Sequence, residues 1–430
     1  MLYLLGVLAL IFGLIVSVAL HEFGHLIPAK RFGVLVPQYM VGFGPTLFSR
    51  RVGGTEYGIK AILLGGYVRI LGMYPKPRDN TPRFRIDGHG RALTLAQAQT
   101  SGVDSQRWHP TLAEIARQSA TDEIPPDATG QPYYLLNPVR KIVIMLGGPV
   151  MNLLLSVVLL LVSICFIGYS APTLTLAEVQ GCTATDYGSD PDGCELRYPA
   201  RAAGLQPGQT ISEVAGVPVD DWEAFREQLA RHRGDTVSIT TVSVSGNSQH
   251  QVAIPADGSA IGVVARTQQQ RGTFADVVAD VRYIFIGTLQ VVVRLPIAVW
   301  DTAASMFTGS QRNADVISVV GVGRMAGEIS DSGQISAADR VSSLLSLLAS
   351  LNMALFVFNL IPLPPLDGGH IVGSLWQIIR DGSRRLRGLN KLGAPDTARA
   401  MALTYSVVAL LIIMTVILVI ADIVKPVPLG

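Results

Sequence analysis

Charge is scarce in this sequence. Of 430 residues, only 15% are Asp, Glu, Lys or Arg. That excludes a disordered polyelectrolyte and sits badly with a water-soluble globule, in which about a quarter of residues are charged. The two signs nearly cancel, with 34 basic residues against 32 acidic, so no basic excess points to nucleic acid. Cysteine is rarer still: three residues and no C-x-x-C pair, which argues against a zinc site built from thiolates. Internal repeats and low-complexity tracts are missing. The N-terminus has no positive leader, and no A-x-A-like site follows its apolar run. The run is therefore expected to be a retained transmembrane helix and not a signal peptide.

What abounds is apolar. Hydrophobic residues make up 49% of the chain and the mean hydropathy is +0.39, which places the chain in the membrane class. The expected fold is a polytopic α-helical membrane protein of four spans, with both termini outside. A membrane-dipping β-loop and an extracytoplasmic α+β domain complete it.

The first span, residues 1–29, ends in Leu20-His21-Glu22-Phe23-Gly24-His25. On a helix, residues four apart share a face, so His21 and His25 can bind one Zn²⁺ per chain. Glu22 beside them is a candidate general base. Three ionisable groups in a membrane helix are costly and point to function. Pro28 is expected to close the helix.

Residues 30–85 hold ten Lys/Arg against two acids. The positive-inside rule puts this segment in the cytoplasm. Within 30–78, glycines fold short strands into a loop that dips toward the membrane, and Gly65-Gly66-Tyr67-Val68 offers an edge to which an extended peptide can add. The polar stretch 79–137 reads as a cytoplasmic insertion with helical stretches between Ala92 and Ala120. Its His89 and His109 read as surface residues.

The second span, 138–170, carries Gly147-Gly148-Pro149 and Asn152. Asn152 needs a polar partner, either near the metal helix or as a tie between helices. Cys165 in this span reads as a buried thiol. Residues 171–275 reverse the charge balance, with twelve acids against seven Lys/Arg, as expected of an exported domain. Its pattern looks like a PDZ domain in the circularly arranged bacterial form, built on Arg201–Ile211, a helix at Trp222–Arg231 and two alternating strands after it. An oxidising compartment would favour a Cys182–Cys194 disulfide. Residues 276–340 read as amphipathic helices on the outer leaflet followed by a connector.

The third span, 341–379, is broken by Pro362, Pro364 and Pro365, and an unwound segment at membrane depth lines a cavity. Asp367 is the candidate third zinc ligand, with His370 its rival. Asn359 can donate to the reacting carbonyl. Residues 380–400 are basic and cytoplasmic, and 401–424 form the fourth span.

H-E-F-G-H in the first span, N-x-x-P-x-P-P-L-D-G-G over Asn359–Gly369, and a PDZ-like domain between spans two and three together resemble the site-2 protease family of intramembrane zinc metalloproteases. The similarity is greatest to its bacterial RseP-like and mycobacterial members. The resemblance implies zinc on His21, His25 and Asp367 with Glu22 as base. It also implies substrate contacts from Asn359, Pro364, Gly65, Gly66 and Tyr67, and a G-P-x-x-N element in Gly148, Pro149 and Asn152. The implied setting is a bacterial plasma membrane. The implied substrates are single-pass membrane proteins such as pre-cleaved anti-sigma factors. The resemblance leaves the 79–137 insertion unassigned. Another class of function fits the PDZ-like region alone, a non-proteolytic scaffold that binds exported peptides. A third reading, another family of membrane zinc protease, would need a Glu or His ligand from a later helix, and no such stretch stands out.

Overall fold

The computed structural model describes residues 1–75, 84–86, 92–94, 109–110, 112–124, 130–181, 198–243, 246–258, 260–308, 316–333 and 335–425. The chain divides into two compact units, Met1–Cys165 with Thr273–Gly430, and Phe166–Gly272. Cys182 and Cys194 lie outside the described residues, and so does the disulfide expected between them.

In the first unit, helix α1 spans Leu2–Arg31. Pro28 does not end it. The helix continues to Arg31, and Phe32 N–H then closes on the Pro28 carbonyl. A proline in the last turn forfeits only one backbone bond, so one further turn survives.

Two long bent strands follow, β1 (Gln38–Val52) and β2 (Thr55–Arg69). Their register folds them into more than a simple hairpin. Gln38–Val41 pairs with Glu56–Ile59 on one side and with Gly66–Arg69 on the other. Residues 66–69 thus form an outer edge, and no further strand joins them among the described residues. The far end exposes Leu47, Phe48, Val52 and Ile62 beside Arg50 and Arg51. Thr55 Oγ1 donates to the Val36 carbonyl at 2.6 Å, and Tyr39 OH donates to the Ala19 carbonyl of α1 at 2.8 Å, which fixes the sheet against the helix.

Among the described residues, the insertion contains three short strands and helix α2 (Leu112–Asp122). Part of the helical stretch expected from Ala92 is strand, at Ala92–Thr94. Helix α3 (Pro138–Leu161) starts on an Asn137 cap with proline at its first position, a preorganised N-terminus. A π-turn, Val162–Ile167, ends it.

The second unit is built on an antiparallel sheet. Its strands are β3 (Tyr169–Val179), β4 (Thr210–Val214), β5 (Val217–Pro218), β6 (Thr236–Ser243), β7 (Gly246–Ala253) and β8 (Val263–Gln270), in the order β7-β6-β4-β3-β8 with β5 on β4. Helix α4 (Trp222–Arg231) is capped by Asp221, and its Phe225 is buried with Leu176, Ile211 and Ile239.

The first unit then resumes with α5 (Phe274–Thr308), α6 (Val319–Asp331), α7 (Ala337–Asn359), α8 (Asp367–Leu386) and α9 (Met401–Val424). Three expectations change here. Residues 274–308 form one helix rather than several, with Pro296 inside it. The broken third span resolves into two helices: α7 ends at Asn359, and α8 is a separate amphipathic helix with Trp376 and Ile379 exposed. Residues from Val319 are helix where a turn-rich connector was expected. Among the described residues, five helices are long and apolar enough to cross a membrane, which makes this a polytopic membrane protein with a β-rich unit.

Candidate metal centre and cleft

The centre is built where α1 and α3 touch. They meet through glycine: a Cβ on Gly24 would collide with the Gly147 carbonyl, and one on Gly147 with the Gly24 carbonyl. A Cβ on Gly148 would strike the His25 ring. Only this close approach lets α3 press its Gly-Gly-Pro turn against the two histidines. The buried core beneath them, including Leu26, Ala29, Ile144 and Met145, holds the crossing.

Helix α7 runs alongside α1. Asn352 Nδ2 donates to Ser17 Oγ at 3.0 Å, and Ser17 passes the bond on to the Gly13 carbonyl. After α7, the proline-rich turn reverses the chain, and Asp367 opens α8 at the level of His25. Its Oδ2 lies 3.4 Å from His25 Nε2 and 3.5 Å from His21 Nε2, while the two Nε2 atoms are 3.2 Å apart.

Three donors separated by these distances fit three corners of a tetrahedron whose centre is roughly 2.0–2.1 Å from each, the Zn–N and Zn–O bond length. The fourth corner is not taken by a protein donor among the described residues. Asp367 Oδ2 is buried without a hydrogen-bond partner, which is costly unless a cation satisfies it. The residues fit a catalytic zinc site. His370 lines the cleft but is not part of this donor cluster.

Both histidines are held from behind. His25 Nδ1 donates to the Ile144 carbonyl at 2.8 Å, which leaves Nε2 as the lone-pair atom facing Asp367. Asn152 holds its side-chain amide 3.1 Å from His21 Nδ1. A half-turn interchanges the two ends of an amide. With the oxygen toward His21, Nδ1 can donate and Nε2 keeps its lone pair. That orientation also satisfies Asn152 Oδ1, which is otherwise buried without a partner. Of the two readings of Asn152 in the sequence, the one near the metal helix matches this position.

A cleft of about 680 Å³ opens in front. Glu22, Tyr67, Val68, Arg69, Asn359 and Pro365 are among its walls. The Val68 backbone lies beside the Glu22 carboxylate at the cleft wall. Gly66 packs so closely on Glu22 that a Cβ there would sit 3.4 Å from its Cγ. Gly65 has φ +110°, a conformation that favours glycine, and turns the chain into this edge. Pro364 sits in the turn behind the cleft, and Pro365 is the proline at its wall. Tyr39 lies against the same helix face, and burial together with the Glu22 carboxylate pushes its phenol up to about 12. Sequence reasoning missed Val68 as a partner of Glu22 and Gly24 as the contact point of the crossing. The signal for Gly24 was present, a glycine inside H-E-F-G-H facing a glycine pair on another span.

The match to known proteins covers most of the chain. The model of peptidase family M50 matches residues 9–393. The zinc metalloprotease Rip1 of Mycobacterium tuberculosis is 29% identical over 455 residues, covering 100% of both chains. Rip1 of Mycolicibacterium smegmatis is 29% identical over 99% of each chain. The zinc metalloprotease RasP of Shouchella clausii is 26% identical over 85% of this chain and 88% of its own.

Proposed function

Since the chain belongs to peptidase family M50, we propose that it cleaves single-pass membrane proteins within the bilayer, near the cytoplasmic face. It is a zinc metallopeptidase of the site-2 protease type. The observation that carries the reading is the convergence of His21, His25 and Asp367 from two distant helices beside Glu22. A peptide-binding scaffold has no use for that cluster.

His21, His25 and Asp367 would hold the metal. Zinc, when bound, acts as a Lewis acid that polarises a peptide carbonyl and makes water acidic enough to be deprotonated near neutral pH. Glu22 accepts the proton of the attacking water and returns it to the leaving amine. Asn359, at the cleft wall, donates through its amide to the carbonyl oxygen as charge develops there. The substrate must be extended, because helical backbone keeps its carbonyls in internal bonds. Residues 66–69 supply the means: a free edge beside Glu22 to which a substrate strand can add. Gly65 and Gly66 shape that edge, Tyr67 flanks it, and Pro364 with Pro365 forms the opposite wall. Gly148, Pro149 and Asn152 keep the metal ligands in place.

Four spans, α1, α3, α7 and α9, support this arrangement. Helix α5 is long and apolar enough to cross, but its two ends meet the same side of the bundle, while Phe285 between them reaches Phe356 near the end of α7. Val277 near its start packs with Leu160 and Ile164 at the end of α3. Ser305 near its end accepts from Lys425 just past α9. Both places are read as sharing the side of the bundle on which α6 meets the N-terminal turns of α1, through Gly6 against Ser330, and the end of α9, through Ser318 against Asp422. Residues 276–340 are thus read as lying on the outer leaflet, with the PDZ-like unit outside and the basic segments 30–78 and 380–400 inside. In the PDZ-like unit, a cavity of about 570 Å³ between α4 and residues 254–263, with Arg226 and Arg233 in its walls, suits an extended peptide. A bacterial plasma membrane and pre-cleaved anti-sigma factors as substrates complete the reading. Incubating candidate single-pass proteins with the chain in vesicles and mapping the products by mass spectrometry tests it. The predicted cut is inside the span. Cuts only in exposed loops would argue against it.

A further inference from the structure

Next to the catalytic cleft lies a second cavity, of about 300 Å³. The two share Ile70 and Met73 as walls, so they are neighbours along one path. One side of the second cavity is the chain that continues directly from the edge strand. The other is the insertion: Leu112 and Ile115 of α2, with Met401 and Tyr405 from the start of α9. Leu112, Ile115 and Tyr405 are exposed, although all are apolar or aromatic.

Helix α2 is fixed in this place. Arg117 makes a two-pronged ion pair with Asp396, just before α9. At its other end, Glu123 pairs with Arg69 at 3.1 Å, an exposed contact that aligns more than it stabilises. Arg69 is itself the last residue of the edge strand. Residues 112, 115, 116 and 119 fall on one helical face, and that face lines the cavity.

We propose that α2 completes a pocket for one large apolar side chain of the substrate, and so assigns the insertion a part in choosing where the protease cuts. The inference rests on edge addition at residues 66–69. A strand laid along that edge rises ~3.3 Å per residue. The shared wall begins at Ile70, two residues past Val68, which faces Glu22. The side chain that enters the pocket is therefore roughly two to four residues from the scissile bond. The volume lies at the small end of ligand pockets, roughly 300–1,000 Å³, and suits a side chain such as Leu or Phe rather than a separate ligand. An acidic residue there would meet apolar walls and lose its hydration.

The test is a designed single-pass substrate in vesicles, with each position near the cut set in turn to Phe, Leu, Ala and Asp. The full-length wild-type chain should prefer Phe or Leu over Asp by at least tenfold in kcat/KM at one position in the stated window. Ile115→Trp, which fills the pocket from an exposed site, should bring that ratio close to one. In a Glu22→Gln background, Ile115→Cys should form a disulfide with a cysteine at the same substrate position and at no distant one. Wild-type cutting without positional preference, or a preference that Ile115→Trp leaves intact, overturns the pocket while sparing the protease reading. If wild type cuts none of the substrates, the protease reading fails, and the crosslink alone then decides the pocket: its absence overturns it.

Discussion

A carboxylate oxygen of Asp367 stands 3.4 Å from Nε2 of His25, although Asp367 opens α8 and His25 lies within α1. Neither helix can make that contact alone. It needs the glycine crossing of α1 on α3, the run of α7 alongside α1, and the turn that reverses the chain before α8. The metal centre is therefore a product of the packing of the whole first unit.

Removing Asp367 should cost the metal before it costs the fold. Asp367→Ala, purified in detergent, is expected to hold far less zinc than the wild-type chain while its circular dichroism stays helical. Unchanged zinc content would show that Asp367 is no ligand.

Asn152 acts on the metal through His21. Asn152→Leu should lower zinc affinity by about 10–100-fold, the usual effect of losing such a support. Asn152→Asp, which offers only acceptors to His21 Nδ1, should retain most of it. Competition with a chelator measures both. Equal affinity in Asn152→Leu would reduce Asn152 to a tie between helices.

The helix crossing leaves no room for a methyl group. Gly148→Ala places a Cβ against the His25 ring. The expected cost is about 1–3 kcal/mol of stability, typical of overpacking, with a loss of zinc. Gly287→Ala on α5, where a Cβ meets nothing within 4 Å, is the control and should melt like the wild type.

Edge addition depends on the backbone of Val68. Val68→Pro removes its N–H and should lower cleavage by about 10²-fold, the order that a small misplacement of substrate costs. Zinc content should not change. Val68→Thr keeps the N–H and should stay active. Equal rates for Val68→Pro and wild type would rule out substrate binding at this edge.

The fold of α5 predicts that both its ends face the same side. Single cysteines at Phe274 and Thr308 should react with a membrane-impermeant maleimide from one side only, and from the same one. Labelling from opposite sides would make α5 a fifth span.

What the sequence made legible follows from how local each signal is. H-E-F-G-H needs only one helix to line up His21 and His25, so it could be read without a fold. Asp367 was marked by being an isolated acid in apolar sequence, but its approach to His25 is set by tertiary packing. Helix α5 misled the reading because Arg282, Pro296 and Asp301 break its apolar pattern, while the backbone runs through them unbroken. The end of α7 was overrun because α8 is apolar on one face, and a hydropathy run does not separate an amphipathic helix from a span. The fourfold layout of residues 38–69 was hidden by its register: Gln38–Val41 serves two partners at once, and only long-range pairing reveals it. Val68 beside Glu22 follows from that pairing and carries no mark of its own.

The central claim is tested most directly by cleavage of a single-pass substrate in reconstituted vesicles, comparing wild type with Glu22→Gln and measuring zinc in both. The account predicts a cut within the span by wild type, none by Glu22→Gln, and equal zinc in the two. A Glu22→Gln chain that cuts at the wild-type rate, or a zinc-loaded wild-type chain that cuts no membrane-spanning substrate, would contradict it.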